Sequence, residues 1–563
     1  MKRLLVVLWL SMALCAEAQL TTTQKLIDFQ QLASIFAKRY SFLEWKKDAV
    51  GFDGLDLRPW MERIAQTKDD VAYLELCAEY VAKFQDSHSG FSLPSDFEAD
   101  LGFAADIYDG KVLIDSVDRG RLKQAEYPFQ IGDELVAIDG RPVKEVMADL
   151  AKFLPEGNPR TADRVAAAYL TYRYQSYIPG AHLLGDSATV VVKRRGGSSE
   201  TYTVPWVKTG TPYSIIGPVP GPVLSGRVAG RDLETSPEAG RWPFYMQHSR
   251  KAQVLRSRPI KASLGIADVN PVFTLPSDFV LRVGGGQYDT FISGTMKSGG
   301  TNIGYIRLPD FEGYNRTIMD REIKYLSDNT DGLIVDVTRN PGGYACTAES
   351  FMRYFVADKF VASGNSVRVT WDWILSLEMD LEYAKELGSP EDVAEIEREL
   401  AASREAYVKN RGFTEPIPFC SASLELESAL DRTGKPLVYS KPVVVVVDDR
   451  SASAAEMFAA TMQDNQRAVI YGFRTSGAGG AVENMPAGAY SETYASLAWT
   501  IIIRKQPIGG TEYPSAPYVE NIGVRPDKVA DYMTEDNLMN KGVPFVKDLL
   551  SATVDYINSK RTQ

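Results

Sequence analysis

Apolar residues recur at helical spacing in two N-terminal stretches: Leu26, Phe29, Leu32, Ile35 and Phe36, then Val71, Leu74, Cys77, Val81 and Phe84. Side chains three and four residues apart share one face of a helix, so residues 19–97 read as a helical domain. Its last helix runs into Gln85-Asp86-Ser87-His88-Ser89-Gly90, where small polar residues and glycine stop it. From 98 to 207 the pattern becomes that of short strands, among them Lys111–Val117 and Glu134–Ile138, with a tight turn at Asp139-Gly140 and a short helix over Glu145–Leu154. Thr189–Lys193 and Thr201–Val204 flank Gly196-Gly197-Ser198-Ser199, a hairpin signal. Nine of the 21 residues in Gly210–Gly230 are glycine or proline, so residues 208–299 read as a linker and the approach to a further domain. In residues 300–535, Asn302–Leu308, Gly332–Val337 and Val443–Val447 are near-continuous apolar runs, the latter two followed by helical stretches. Such runs suit strands buried on both faces, hence an α/β layer. Within it, residues 376–411 are charged and helical, with Ser389-Pro390-Glu391-Asp392 as a helix start, and read as an inserted helical hairpin. A C-terminal helix occupies 536–563. The fold class is multidomain α/β (α+β).

The first eighteen residues fall outside that fold. Lys2 and Arg3, the apolar run Leu4–Leu14 and Ala16-Glu17-Ala18 have the form of a secretory signal peptide cleaved after Ala18. Cys15 raises lipid anchoring, against which the bulky Leu14 stands. No later stretch is apolar for long enough to span a bilayer. The chain thus reads as exported, to the periplasm or the extracellular space. Net charge of −11 over 563 residues disfavours nucleic acid. Three dispersed histidines (His88, His182 and His248) and the absence of paired-cysteine spacing exclude a histidine-rich metal site. No phosphate loop or dinucleotide fingerprint occurs, so no cofactor is implied. Cys77, Cys346 and Cys420 remain after cleavage, permitting one disulfide at most.

Three segments carry candidate chemistry. Val443–Val447 leads through Asp448-Asp449-Arg450 into Ser451-Ala452-Ser453-Ala454-Ala455-Glu456 and a run of helix formers. A serine at a strand-to-helix turn is exposed, and the amides that follow it favour an oxyanion. Ser453-x-x-Glu456 is equally the spacing of a plain capping box. Thr338-Arg339-Asn340-Pro341-Gly342-Gly343 ends another buried strand, and its glycines suit either close backbone approach to a ligand or an ordinary turn. His88 is a histidine in a polar loop: a base for a serine, or a helix-end residue.

Segment 98–207 resembles a PDZ domain. Leu101-Gly102-Phe103 lies where that family binds a peptide carboxylate, Ile131-Gly132-Asp133-Glu134-Leu135 matches its most recognisable segment, and 155–187 would be an insertion. Gly304–Leu308, Gly332–Gly343, Ser451–Glu456 and Glu520–Asp527 occur in the order found in the C-terminal processing (tail-specific) serine peptidases. That resemblance implies a crotonase-like, ClpP-type layered core, Ser453 as nucleophile, and an oxyanion hole from the amides of Ala454 and of Gly342 or Gly343. The bacterial Ser/Lys enzymes carry a lysine where this chain has Ala478, in Thr475-Ser476-Gly477-Ala478-Gly479-Gly480. The tricorn-like branch uses a histidine after a serine together with a late glutamate, positions that Ser87, His88 and Glu520 resemble. On that pattern His88 is the base, and Ser87 with Glu520 orients it. The implied activity is hydrolysis of extended polypeptides by a secreted serine endopeptidase, the PDZ-like domain binding or gating substrate. The rival is an inactive peptide-binding scaffold of the same fold.

Overall fold

The computed structural model describes residues 19–213, 270–286, 289–356, 360–509 and 512–561. The signal peptide expected at 1–18 and most of the expected linker at 208–299 lie outside the described residues. Helices α1 (Thr22–Arg39), α2 (Leu43–Ala49), α3 (Arg58–Ala65) and α4 (Asp70–Ala82) open the chain. Thr21 caps α1 reciprocally with Gln24, and the Asp69 side chain accepts from the Ala72 amide at the head of α4. Phe29, Phe36, Tyr80 and Phe84 bury their rings against one another.

The β-rich segment that follows pairs β1 (Phe103–Tyr108), β2 (Lys111–Val117), β3 (Glu134–Ile138), β4 (Ser187–Lys193) and β5 (Ser199–Pro205) in that order, all antiparallel. Helix α5 (Val143–Ala151) packs beside it. Residues 155–187, expected as an insertion, hold helix α6 (Pro159–Thr171), whose Val165, Ala166, Ala167, Tyr169 and Leu170 share a core with Phe103, Ala105 and Ile114 of the sheet. The segment is therefore built into the domain. Its alanine-rich sequence lets the helix lie close against the edge strand β1, a packing that local pattern does not announce.

The last region forms a seven-stranded sheet in chain order: β6 (Val280–Val283), β7 (Ile292–Ser298), β8 (Thr301–Arg307), β9 (Gly332–Asp336), β10 (Val443–Val447), β11 (Ala468–Gly472) and β12 (Lys528–Val529). Strands β8 to β12 are parallel neighbours, with Asp336 opposite both Arg307 and Val446. Every residue of β9 and β10 is buried, which explains their unbroken apolar runs. Helices α7 (Arg316–Asn329) and α8 (Ala345–Met352) follow β8 and β9. The inserted hairpin is α9 (Trp371–Leu387) and α10 (Pro390–Val408), with a reciprocal Ser389–Asp392 cap. Its inner face joins the core of the N-terminal helices, Trp373 lying against Trp499 with ring centroids 4.2 Å apart and tilted by 36°. Helix α11 (Ala454–Asp464) follows β10, and α12 (Val543–Arg561) closes the chain against the sheet. The architecture is the multidomain α/β arrangement expected. Cys346 and Cys420 form a disulfide, while Cys77 is buried with its thiol pushed up to about 12 by desolvation.

Candidate active site

Because β9 and β10 are parallel and in register, the turns leaving their carboxyl ends emerge side by side, where ligands of open α/β sheets collect. After β9 the backbone enters left-handed conformations at Arg339 (φ 54°), Gly342 (φ 98°) and Gly343 (φ 143°). The Arg339 amide donates to Asp448 Oδ1 at 2.7 Å and the Ala452 amide to the Asn340 carbonyl at 2.9 Å, so this turn and the loop after β10 are laced together. A Cβ on Gly342 would fall 2.6 Å from Ser453 Cβ, which makes glycine a steric requirement there. The Gly342 amide donates to Asn340 Oδ1 at 2.8 Å, which leaves the Gly343 amide as the better donor for a ligand.

Ser453 heads α11 at φ 57° and ψ −122°, a conformation that costs a non-glycine residue roughly 1–3 kcal/mol. Strain of this kind at a strand-to-helix turn thrusts a serine hydroxyl outward. Ser453 is half-buried, and its amide donates to Glu456 Oε2 at 3.2 Å. Glu456 does more than cap. It accepts from Thr475 Oγ1, from the Gly477 amide at 2.8 Å and from the Ala478 amide at 2.7 Å, while burial pushes its carboxyl up to about 7. Gly477 and Ala478, the latter at the position of the lysine in the Ser/Lys enzymes, thus serve as a backbone clasp on α11.

That same loop meets the N-terminal helices. Ser476 donates its amide to the Ser451 carbonyl at 3.0 Å and lies 3.2 Å, hydroxyl to hydroxyl, from Ser87. Ser87 also accepts from the Gly157 amide at 3.2 Å. The next residue, His88, is buried, and its segment is rigid: Asp86 accepts from the His88 amide at 2.8 Å and from Ser89 Oγ at 2.9 Å. Glu520 is fully buried and accepts from the Gly479 amide at 3.0 Å. Ser87, Glu520 and, through Glu456, the helix headed by Ser453 are thus all hydrogen-bonded to the loop 475–479, although they are spread over more than 430 residues of sequence.

Lys46 was missing from the sequence-derived set. It is wholly buried, paired with Glu520, and donates to Asn521 Oδ1 at 2.6 Å and to the Gln85 carbonyl at 3.0 Å. Asn521 Nδ2 holds the same carbonyl at 2.8 Å. Burial, with the nearby Asp86 charge, pushes Glu520 up to about 8, and Lys46 opposes that rise. Nothing in Trp45-Lys46-Lys47 distinguishes this amine from Lys47, which is exposed.

The PDZ-like segment enters differently from expectation. The Leu101 amide donates to Thr171 O at 3.0 Å and the Gly102 amide to Asp100, while Leu101 and Phe103 are fully buried. Leu101-Gly102-Phe103 therefore presents no open amide cradle at Leu101 and Gly102, because α6 and Asp100 take those donors. From α6, Arg164 binds Asp106 of β1 at 2.9 Å and Asp449, four residues before Ser453, at 2.7 Å. Burial opposes ionisation of Asp106, yet the Arg164 and Arg450 charges hold it down at about 2. Among the described residues no cluster of three or more potential metal ligands occurs, and no helix is long and apolar enough to cross a membrane.

A strained serine at the head of a helix, facing a glycine turn at the carboxyl edge of a parallel sheet, is the arrangement that serine hydrolases require. Residues 302–529 match the model of peptidase family S41 and residues 98–213 that of PDZ domains. The chain thus holds a serine-peptidase domain of family S41 and a PDZ domain ahead of it. It is similar to an uncharacterised protein of Chlamydia muridarum, 23% identical over 555 residues that cover 89% of this chain and 87% of the other. It is also similar to the carboxyl-terminal-processing protease of a Synechocystis species, 24% identical over 233 residues, 41% of this chain and 39% of that protein. Among solved structures, that of mature CPAF superposes with a TM-score of 0.71 at 19% identity, covering 96% of this chain and 98% of that one. A complex of mature CPAF with lactacystin gives 0.70 at 18%, covering 96% and 99%. These likenesses establish a shared fold across nearly the full length.

Proposed function

We propose that this protein is an exported endopeptidase in which Ser453 attacks the scissile carbonyl and His88 takes its proton. Ser87 and Glu520 hold the segment that presents the imidazole, and the amides of Gly343 and Ala454 receive the oxyanion. The observation that carries the reading is the loop 475–479. It bonds Ser87 through Ser476, Glu520 through Gly479 and the Ser453 helix through Glu456, so one short segment ties the chain beside His88 to the helix that Ser453 heads. A histidine borne by the N-terminal helices supplies the proton acceptor that Ala478 does not. The functional units are 19–97, 98–207 and 300–535, and the PDZ-like unit gates the site through Arg164 and Asp449 rather than by capturing a carboxylate at Leu101-Gly102-Phe103. Substrate is extended polypeptide, whose backbone fits a strained, edge-exposed nucleophile.

A fluorophosphonate probe is expected to label the wild type and to fail on Ser453→Ala. His88→Ala is expected to keep the native thermal transition and to lose labelling and hydrolysis together. Wild-type rates in His88→Ala would overturn the assignment of the base. Peptide capture without cleavage by the wild type would favour the non-catalytic scaffold, for which Ala478 is the motivating residue.

A further inference from the structure

The hairpin α9–α10 carries a feature the catalytic reading does not use. Helix α9 is apolar on two opposite sides. Trp373, Ile374, Leu377, Leu381 and Ala384 are buried against the N-terminal helices. Trp371, Leu375, Met379, Tyr383 and Leu387 point the other way, each between 41% and 73% exposed, and Tyr407 of α10 extends the strip with its ring 5.8 Å from Trp371. A helix apolar on both sides is ordinarily covered on both. Single exposed apolar side chains are common, but an unbroken row marks an interaction site.

The row has a geometry and a charge. Its members are four residues apart throughout, and an i±4 ridge is what interdigitates with another helix. Asp372, Glu378, Glu382 and Glu386 are interspersed with or flank the ridge, the first three paired within the chain to Arg39, Arg404 and Lys385, and residues 371–411 still hold an excess of eleven acidic over five basic residues. We propose that this outer face of α9 is a docking surface for a partner polypeptide presenting a basic amphipathic helix. Apolar side chains of that helix would seat between the ridge residues, while its Lys and Arg residues meet the acidic flanks. Short-range packing gives affinity, and the charges give orientation and a dependence on ionic strength.

The test uses the full chain as Ser453→Ala, so that no probe is cleaved. The probe is a fluorescein-labelled 18-residue Leu/Lys amphipathic helix, followed by anisotropy. Saturable binding is expected that weakens at least tenfold in Met379→Ser/Leu387→Ser and falls with added salt, whereas the Leu/Glu version of the peptide does not bind. The same pair of substitutions in the wild type should leave hydrolysis of a short unstructured peptide unchanged. Equal binding by the doubly substituted protein, or by both peptides, would overturn the proposal. So would light scattering showing a dimer that the two substitutions dissociate, since the ridge would then be covered by a second copy of the chain.

Discussion

Replacing Lys46 by methionine removes the cation beside Glu520 while keeping most of the side-chain volume. Two of the three acceptors lose little. The Gln85 carbonyl retains Asn521 Nδ2 at 2.8 Å, and Asn521 Oδ1 retains Trp45 Nε1 at 3.0 Å. The loss therefore falls on Glu520, which keeps the Gly479 amide. Removing one member of a buried pair costs about 3–5 kcal/mol while the other stays charged. Protonation is the escape, and burial already lifts Glu520 to about 8 with Lys46 opposing. In the variant the folded carboxyl titrates higher still, against roughly 4.3 in an unfolded chain. The folded state then holds the extra proton over a longer interval, and stability falls as pH rises throughout it. For the wild type that fall ends near pH 8. For Lys46→Met it continues, widening the gap between the two proteins by up to about 1.4 kcal/mol per pH unit above 8. Urea unfolding at pH 6, 7.5 and 9 measures it, with Glu520→Gln and the double variant completing a cycle. A destabilisation identical at all three pH values, or strict additivity in the cycle, would refute the coupling.

Two further outcomes follow from the site. Gly342→Ala drives a methyl into Ser453 Cβ at 2.6 Å and asks alanine to adopt φ 98°, so fluorophosphonate acylation should slow by about 100-fold while near-ultraviolet circular dichroism stays native. Glu456→Gln turns one acceptor oxygen into an amide donor that faces N–H and O–H donors, costing about 1–3 kcal/mol in chemical unfolding and lowering kcat more than it raises KM.

How much of this was legible beforehand depends on the range over which each feature is encoded. Val443–Val447 announced its own strand, and the small residues after it announced a helix start, because both signals are local. The second role of Glu456 was hidden, since a capping glutamate and a loop clasp have the same spacing and differ only in what folds back onto them. Lys46 was illegible for the same reason: its neighbours Gln85, Glu520 and Asn521 arrive from up to 475 residues away. Helix α6 falls in a stretch that the resemblance organising 98–207 has no place for, although its composition is helical throughout. The hairpin starts at Trp371, five residues before the charged stretch that betrayed it, because its first turn is largely apolar.

Arg164 has a consequence for how such a chain is able to evolve. Its guanidinium spans a carboxylate of the PDZ-like unit and another in the loop that leads to Ser453, all three side chains being buried. Excising residues 98–213 would strand Asp449 without its countercharge in the very loop that aims Ser453. The unit is accordingly not a portable cassette: transplanting it into another peptidase, or swapping in a foreign one, demands that both acidic partners travel with the arginine.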